Sequence, residues 1–280
     1  MSHHQITLGF SPCPNDTFIF DGLVNGHIHT GGLKFDVVLA DVQTLNQWAL
    51  EGKLDATKIS YGVLHQVLPQ YRLLQSGGAL GFGVGPLLIG AEPLPGSNQD
   101  ISTAVNNLQI ALPGANTTAH HLFSTAFPNA RHKTFLPFHQ IEDFVASGQG
   151  LGVIIHENRF TYHHRGLHQW LDLGSFWEKA TGGPIPLGGI VLKSSFPSSV
   201  ANQLNTLVQN SIAYAWAAYP KLSPYVQAHA QEMSETVMRQ HINLYVNQYS
   251  HSLSTVGLNA VRTLLGSQTD APIDDSKVFW

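Results

Sequence analysis

The sequence is poor in charged residues and cysteine, and it has no long apolar segment. Charged residues make up 11% of the 280, with 14 Lys and Arg against 18 Asp and Glu, which excludes a basic surface for nucleic acid. The single cysteine, Cys13, excludes an intramolecular disulfide framework and a cysteine-based zinc site. The best apolar runs, at residues 86–90 and 151–155, have the length of strands and not of a membrane span.

The composition is that of a globular protein. Hydrophobic residues make up 43% of the chain, which argues against disorder and predicts a substantial core. The first residues lack a basic segment followed by an apolar stretch, so they do not read as a signal peptide. We therefore expect a soluble cytoplasmic protein whose partner is a small molecule, with neither nucleic acid nor a membrane span involved.

Motifs for metals and cofactors are missing. The 16 histidines are scattered and form no HExxH pattern, so we expect no metal site. The glycine-rich stretch at residues 77–85 matches neither GxGxxG nor a P-loop, so no nucleotide cofactor is indicated. A GxSxG motif, which marks many hydrolases, does not occur either. We expect the protein to work without a cofactor.

Strands alternate with short helices through most of the chain, and this alternation predicts an α/β fold with parallel sheets. The predicted strands are residues 6–10, 35–40, 56–59, 71–75, 86–90, 108–112, 133–136, 151–155 and 187–192. The predicted helices are residues 17–24, 42–51 with Asp41 as the cap, 61–67, 117–126, 140–147, a helical region from residue 198, 234–247 and 254–265.

Two linker-like stretches, near residues 92–107 and 182–187, predict two lobes. The first contains Pro93, Pro95 and Ser97, and the second is rich in glycine and proline. The larger lobe is then discontinuous, formed by residues 1–107 and 188–280, and residues 108–187 form a smaller inserted lobe. Two α/β lobes joined by two crossings of the chain form a cleft that closes on a ligand.

Small polar residues occupy three of the predicted strand-to-helix turns, at residues 11–17, 58–61 and 113–118. Ligands of open α/β sheets bind beyond the carboxyl ends of the strands, where helix N-termini attract anions. The hydroxyls and amides of these turns are therefore candidates for binding a carboxylate or a sugar. The alternative is that Ser60 and Thr117 serve only as helix caps.

A histidine follows the apolar strand at residues 151–155. A free imidazole has a pKa close to neutrality, which makes His156 a candidate general base. The alternative is a buried structural histidine. Its neighbour Glu157 either orients the imidazole or pairs with Arg159.

Several motifs together resemble one enzyme family, the 1,4-dihydroxy-6-naphthoate synthases of the futalosine route to menaquinone. The most specific of them is Ser-Pro-Cys-Pro-Asn-Asp at residues 11–16, and the likeness extends over nearly the whole chain. The other motifs that carry the resemblance lie at residues 41–46, 58–61, 76–81, 155–162 and 186–188.

This resemblance implies a fold, a reaction and a set of site residues. The fold is the two-lobed, type 2 periplasmic-binding-protein-like α/β fold with a cleft between its lobes. The reaction converts cyclic dehypoxanthinyl futalosine, a carboxylated substrate, into 1,4-dihydroxy-6-naphthoate and dihydroxyacetone, which makes the enzyme a carbon–carbon lyase without a cofactor. His156 matches the family's general base, and the substrate-binding positions are Asp16, Asn46, Ser60, Thr117 and Thr118.

Two other functions remain open at this point. A chorismate dehydratase-like enzyme of the same pathway shares the fold and a carboxylated substrate, but the motif at residues 11–16 and the segment around His156 favour the synthase. A solute-binding protein predicts a secretion signal or a lipid-anchor cysteine. The oligomeric state, a homodimer included, is left open, because Val278, Phe279 and Trp280 either pack on their own lobe or on a partner subunit.

Overall fold

The computed structural model describes residues 4–94, 96, 98–230 and 234–280, which form two compact units. The terminal unit comprises Met1–Gly81 and Pro186–Trp280, and the central unit comprises Phe82–Ile185. Among the described residues, no helix combines the length and apolarity needed to cross a membrane.

The first stretch of the terminal unit supplies five strands and three α-helices. They are β1 (Gln5–Phe10), α1 (Pro14–Val24), β2 (Lys34–Leu39), α2 (Val42–Leu50), β3 (Ala56–Ser60), a 3-10 turn (Tyr61–Val63), α3 (Leu64–Val67), β4 (Tyr71–Leu73) and β5 (Ala79–Gly81).

The central unit has five strands and five α-helices among the described residues. They are β6 (Leu87–Gly90), α4 (Asn98–Asn107), β7 (Ile110–Leu112), α5 (Thr118–Ala126), β8 (Lys133–Phe135), a 3-10 turn (Phe138–Gln140), α6 (Ile141–Ala146), β9 (Leu151–Ile154), α7 (Asn158–Thr161), a 3-10 turn (Tyr162–Arg165), β10 (His168–Asp172) and α8 (Leu173–Thr181).

The remainder of the terminal unit is one strand followed by helices. They are β11 (Ile185–Lys193), α9 (Ser198–Ala218), α10 (Pro224–His229), α11 (Glu235–Tyr245), α12 (Gln248–His251), α13 (Ser254–Gly266) and α14 (Asp275–Val278).

The sheet of the terminal unit has the strand order β2-β1-β3-β11-β4, and β5 also pairs with β11. Strand β1 is parallel to β2 and β3, whereas β11 is antiparallel to β3 and β4. Gly188, near the start of β11, pairs with Ser60 at the end of β3. The carboxyl ends of β1, β3 and β4 and the start of β11 therefore lie along one edge of the sheet.

The sheet of the central unit has the order β10-β6-β9-β7-β8. Strand β7 is parallel to β8 and β9, so these three strands end at one edge, while β6 is antiparallel to β9 and β10. The predicted parallel pairing is therefore present in both sheets, but each sheet also contains antiparallel pairs, which the prediction did not include. Mixed sheets are common. The alternation of strands and helices along the chain does not determine whether a strand from a distant part of the sequence pairs parallel or antiparallel.

The first unit boundary differs from the predicted one. It falls after Gly81 and not after residue 107, because β6 pairs with β9 and β10 of the central sheet. Part of the expected linker is instead the helix α4. Pro95 and Ser97, which suggested the linker, lie outside the described residues. The second boundary, after Ile185, lies within the predicted linker at 182–187.

Apolar residues of β1 and two helices form the core of the terminal unit. Leu8 and Phe10 from β1, Ile19 from α1, and Leu204 and Val208 from α9 are fully buried. Burying an aliphatic or aromatic side chain of this size stabilises the folded state by about 1.5–3 kcal/mol. This core fixes α1, and therefore the turn that precedes α1, against the sheet.

The last residues of the chain pack along β4 of their own unit. Phe279 forms a parallel bridge with Leu73, and the backbone N–H of Trp280 donates to the Leu73 carbonyl at 3.0 Å. The Gln75 amide donates to the Trp280 carbonyl at 2.7 Å. Of the two placements that the sequence left open, the structure shows the packing on the same chain.

Gly85 offers a direct test of packing in the central unit. A Cβ atom at this position would lie 2.3 Å from the backbone N and Cα of Gly174, which cannot rotate away. Gly85→Ala should therefore lower the free energy of unfolding by about 1–3 kcal/mol. Gly183→Ala is the control, because the nearest atom to its Cβ would be 3.9 Å away. Thermal melts of equal midpoint for the two variants would contradict this packing.

Candidate active site

A buried carboxylate organises the turn that precedes α1. The Asp16 side chain is 4% exposed, and each of its oxygens accepts two hydrogen bonds. Oδ2 accepts from the backbone N–H of Ser11 at 3.2 Å and from the Ser11 hydroxyl at 2.8 Å. Oδ1 accepts from the Asn15 amide at 2.9 Å and from Lys58 Nζ at 2.8 Å. Asp16 thus holds the predicted turn at residues 11–17 in a defined shape.

Lys58 joins this turn to two other segments. Its ammonium group, on a side chain that is 6% exposed, donates to Asp16 and also to the Gly77 carbonyl at 2.9 Å. One side chain of β3 therefore fixes the turn after β1 and the glycine segment that follows β4. Burying two charges is costly unless their remaining hydrogen-bonding capacity is satisfied, and the additional partners of both groups meet this condition.

Asn46 and Ser60 form a second buried pair at the same edge. The Asn46 amide donates to the Ser60 hydroxyl oxygen at 3.0 Å and accepts from the Ser60 backbone N–H at 2.8 Å. Lys58 and Ser60 are two residues apart on β3, so their side chains project from the same face of the sheet. The structure therefore brings the predicted residues Asp16, Asn46 and Ser60 to one edge of the terminal unit.

The glycine segment is held by backbone and side-chain contacts from α12 and its cap. The Gly77 N–H donates to the Ser250 carbonyl at 2.6 Å, and the Ser250 hydroxyl donates to the Gly78 carbonyl at 2.7 Å. Gly77 has φ +75°, and a Cβ there would lie 2.2 Å from Ile190 Cδ1. The positive φ favours glycine at this position, and the contact with Ile190 adds to this preference.

In the central unit, Thr117 and Thr118 follow β7 at the carboxyl edge of the sheet. Thr117 is the N-cap of α5, because its hydroxyl oxygen accepts from the His120 N–H at 3.2 Å. The same hydroxyl donates to the Gly114 carbonyl at 2.8 Å. Thr118 is the first residue of α5, and both threonines are buried. The structure therefore confirms that Thr117 caps a helix, which was the alternative interpretation of this residue.

Burial lowers the pKa of His120 in the first turn of α5. A hydrogen bond with the Ala115 carbonyl opposes this shift, and the charge of Lys133 adds to it. An imidazole whose pKa lies below its ordinary value is neutral at pH 7. No sequence motif distinguished this histidine from the others.

His156 lies just beyond the end of β9, at the edge that also carries Thr117 and Thr118. Its ring contacts the ring of Phe138, which follows β8, with centroids 5.1 Å apart and planes inclined by 62°. The residue is half-buried, and its backbone has φ +58°. A non-glycine residue in this region carries about 1–3 kcal/mol of strain, which occurs most often at functional positions.

Arg159 anchors the segment after His156. Its guanidinium lies 2.8 Å from the Asp172 carboxylate and also donates to the Gly85 carbonyl. The sequence left open a pairing between Arg159 and Glu157, and the structure shows the arginine paired with Asp172. Glu157 occupies the N-cap position of α7 and is buried.

Lys58 lies within the predicted turn at residues 58–61, but its local sequence did not indicate a function for it. No sequence pattern indicated His241 either, because the partner of this histidine, Asn15, is 226 residues away. Cys13 is a buried cysteine at the N-cap position of α1. The proline that follows it, Pro14, begins α1 three residues before the predicted start, a position that proline favours.

Solved structures define the class to which this fold belongs. The chain superimposes on protein AF1704 of Archaeoglobus fulgidus with a TM-score of 0.88 and 25% identity, over 95% of this chain and 97% of that one. It also matches the periplasmic aliphatic sulphonate binding protein SsuA of Escherichia coli, with a TM-score of 0.67 and 9% identity, over 100% and 92% of the two chains. The protein therefore has the fold of the periplasmic binding proteins, as the sequence predicted.

Sequence comparison identifies the family. Residues 6–269 match the menaquinone biosynthesis family, and the chain belongs to it. A Thermus thermophilus protein named 1,4-dihydroxy-6-naphtoate synthase is 43% identical over 260 residues, which cover 92% of both chains. A Streptomyces coelicolor protein of the same name is 39% identical over 271 residues, covering 95% of this chain and 93% of its own. The resemblance drawn from the motifs is confirmed.

The contact between Lys58 and Asp16 predicts a large effect on stability. Lys58→Met leaves the Asp16 carboxylate buried without its counter-charge, so we expect the free energy of unfolding to fall by about 3–5 kcal/mol. The double variant Lys58→Met, Asp16→Asn should recover part of this loss. Both are measured by denaturant unfolding.

Lys193→Met is the matched control. Lys193 pairs with Asp55 at 3.2 Å, but these side chains are 27% and 26% exposed. Its loss should therefore change the free energy of unfolding by about 0–1 kcal/mol. Equal losses for Lys58→Met and Lys193→Met would show that burial does not distinguish the two pairs.

Proposed function

We propose that this chain is a 1,4-dihydroxy-6-naphthoate synthase. It would cleave cyclic dehypoxanthinyl futalosine into 1,4-dihydroxy-6-naphthoate and dihydroxyacetone, acting as a carbon–carbon lyase. The observation that carries this proposal is the identity of 39–43% over more than nine-tenths of two relatives that both bear this name. The cytoplasmic location predicted from the sequence belongs to the same proposal.

The reaction needs a base, and we assign this function to His156. The base removes a proton next to a carbonyl group, after which a carbon–carbon bond breaks and an aromatic ring forms. Aromatisation provides driving force for this cleavage. An imidazole titrates near neutral pH and is suited to this transfer. The half-buried ring of His156 at the end of β9, held against Phe138, supports the assignment.

We assign binding of the substrate carboxylate to the Thr118 hydroxyl and the N-terminus of α5, which Thr117 caps. The proton of the Thr117 hydroxyl is already donated to the Gly114 carbonyl. Helix α5 has nine residues, and its N-terminus presents backbone N–H groups and the positive end of its dipole. The cap formed by Thr117 fixes the geometry of these donors. Ser60 and Asn46 would bind hydroxyl and carbonyl groups of the substrate. Because the Ser60 oxygen accepts from Asn46, the hydroxyl keeps its proton for donation.

The contacts of Asp16 support an indirect contribution of this residue to substrate binding. The sequence proposed that Asp16 binds the substrate, yet both of its oxygens already accept two hydrogen bonds within the turn and from Lys58. We therefore propose that Asp16 positions Ser11, Asn15 and Lys58. Its own contact with the substrate stays a prediction.

The proposal is tested first on the purified protein. Incubation with cyclic dehypoxanthinyl futalosine should yield 1,4-dihydroxy-6-naphthoate and dihydroxyacetone, detected by mass spectrometry. Chorismate is the comparison substrate. Dehydration of chorismate would support the sister enzyme, and tight binding of either compound without turnover would support a solute-binding protein.

His156→Asn tests the base without disturbing the backbone. Asparagine tolerates a positive φ better than alanine does, so the φ of +58° is retained. We expect kcat to fall by about 10²–10⁴-fold, the usual contribution of a general base, with an unchanged melting temperature. His132→Asn, at an exposed histidine of the same unit, is the control and should keep its activity. Near-normal turnover in His156→Asn would refute the assignment.

Thr118→Val tests the carboxylate site. Valine has nearly the shape of threonine but lacks the hydroxyl, so the N-cap at Thr117 is left intact. If the hydroxyl hydrogen-bonds the substrate carboxylate, its loss should weaken binding by about 1.5–3 kcal/mol, which appears mainly as a higher KM. Steady-state kinetics measure this effect. An unchanged KM would remove Thr118 from the binding site.

A further inference from the structure

A buried histidine from α11 contacts the turn that precedes α1. His241 is 1% exposed, and its Nε2 lies 2.9 Å from the Asn15 side-chain oxygen. The ring also packs against Tyr245 with centroids 4.7 Å apart. Asn15 is itself buried, at 8% exposed. The contact therefore joins two polar groups that are both removed from solvent.

The partners of Asn15 determine the direction of this hydrogen bond. Its amide nitrogen donates to Asp16 Oδ1 at 2.9 Å, and the ionised carboxylate beside Lys58 only accepts. The amide must therefore present its NH₂ group to Asp16 and its oxygen to His241. An amide oxygen only accepts as well, so the proton of this bond is on His241 Nε2.

We propose that His241 is a positioning residue of the active site. Its Nε2–H holds the Asn15 oxygen, the Asn15 NH₂ group holds Asp16, and Asp16 holds Ser11 at the edge of the sheet that also carries Ser60. The inference rests on the proposed function and deepens it, because it names a residue that acts on the site only through others.

The hydrogen-bonding capacity of His241 indicates that this residue positions Asn15 and does not merely fill space. An apolar residue of similar volume would fill the position on α11 equally well, but it would leave the buried Asn15 oxygen without a donor. With that donor lost, the Asn15 NH₂ group still faces Asp16, which only accepts, but the amide oxygen is no longer held. The Asn15 side chain is then fixed at one end only, and its contact with Asp16 in the turn at residues 11–17 is held less firmly.

The first test reads the tautomer and needs no substrate. Long-range ¹H–¹⁵N correlation of the histidine rings, with His241 assigned by its absence in His241→Gln, should show a proton on Nε2. In Asn15→Leu the acceptor is removed, and the resonances of His241 should shift. A proton found on Nδ1 only, or a spectrum of His241 indifferent to Asn15→Leu, would overturn the proposal.

The second test compares His241→Gln with His241→Asn. Glutamine places an amide nitrogen close to the position of Nε2, whereas the shorter asparagine places it close to that of Nδ1. Both remove the ring, but only asparagine leaves the buried Asn15 oxygen without a donor, so its melting temperature should be somewhat lower. The kcat values are therefore compared at a temperature at which both variants are fully folded. The glutamine variant should have a kcat about tenfold above that of the asparagine variant, the value of one lost hydrogen bond of about 1.4 kcal/mol.

A double-mutant comparison separates positioning from general damage. In the Asn15→Leu background the acceptor is gone, so exchanging glutamine for asparagine at position 241 should no longer change kcat. Equal kcat values for the two variants in the wild-type background, or an unchanged difference in the Asn15→Leu background, would refute the proposal. Absence of synthase activity in the wild-type protein would instead refute the proposed function, since the tautomer is read without turnover.

Discussion

The buried ion pair between Lys58 and Asp16 is the contact on which the site in the terminal unit depends. It joins β3 to the turn after β1, and through the Gly77 carbonyl it also joins the glycine segment after β4. The three segments are separate in the sequence, and each lies at or beyond the carboxyl end of a strand of this sheet. Their common attachment to one ammonium group gives this edge of the sheet a single arrangement.

Parallel strands explain why the candidate residues gather where they do. In each unit the strands that carry them run in the same direction, so the turns after them meet at one edge. Helices α2 and α5 then begin at these edges, capped by Asp41 and Thr117. The same local chemistry that starts a helix thus supplies hydroxyls and N–H groups for a ligand.

Features encoded by neighbouring residues could be predicted from the sequence. The cap at Asp41, the cap at Thr117 and most strands follow from local patterns, and the family motifs indicated the fold and His156. Strand direction could not be predicted, because β11 and β6 pair with strands distant in the chain. The functions of Lys58 and His241 could not be predicted for the same reason, because their partners Asp16 and Asn15 are 42 and 226 residues away.

The energetics of the pair between Lys58 and Asp16 indicate that it orients neighbouring groups more than it stabilises the fold. A buried pair is often no more stable than apolar residues of the same volume, because both charges must first be removed from water. A core built only for stability would therefore not need Lys58 or Asp16 in a chain with so few charged residues. What an apolar pair cannot provide is direction: four donors converge on one carboxylate, and each has one geometry. A site that must hold hydroxyls and amides in fixed positions around a reacting substrate requires that directionality, which accounts for a buried charged pair at this edge of the sheet.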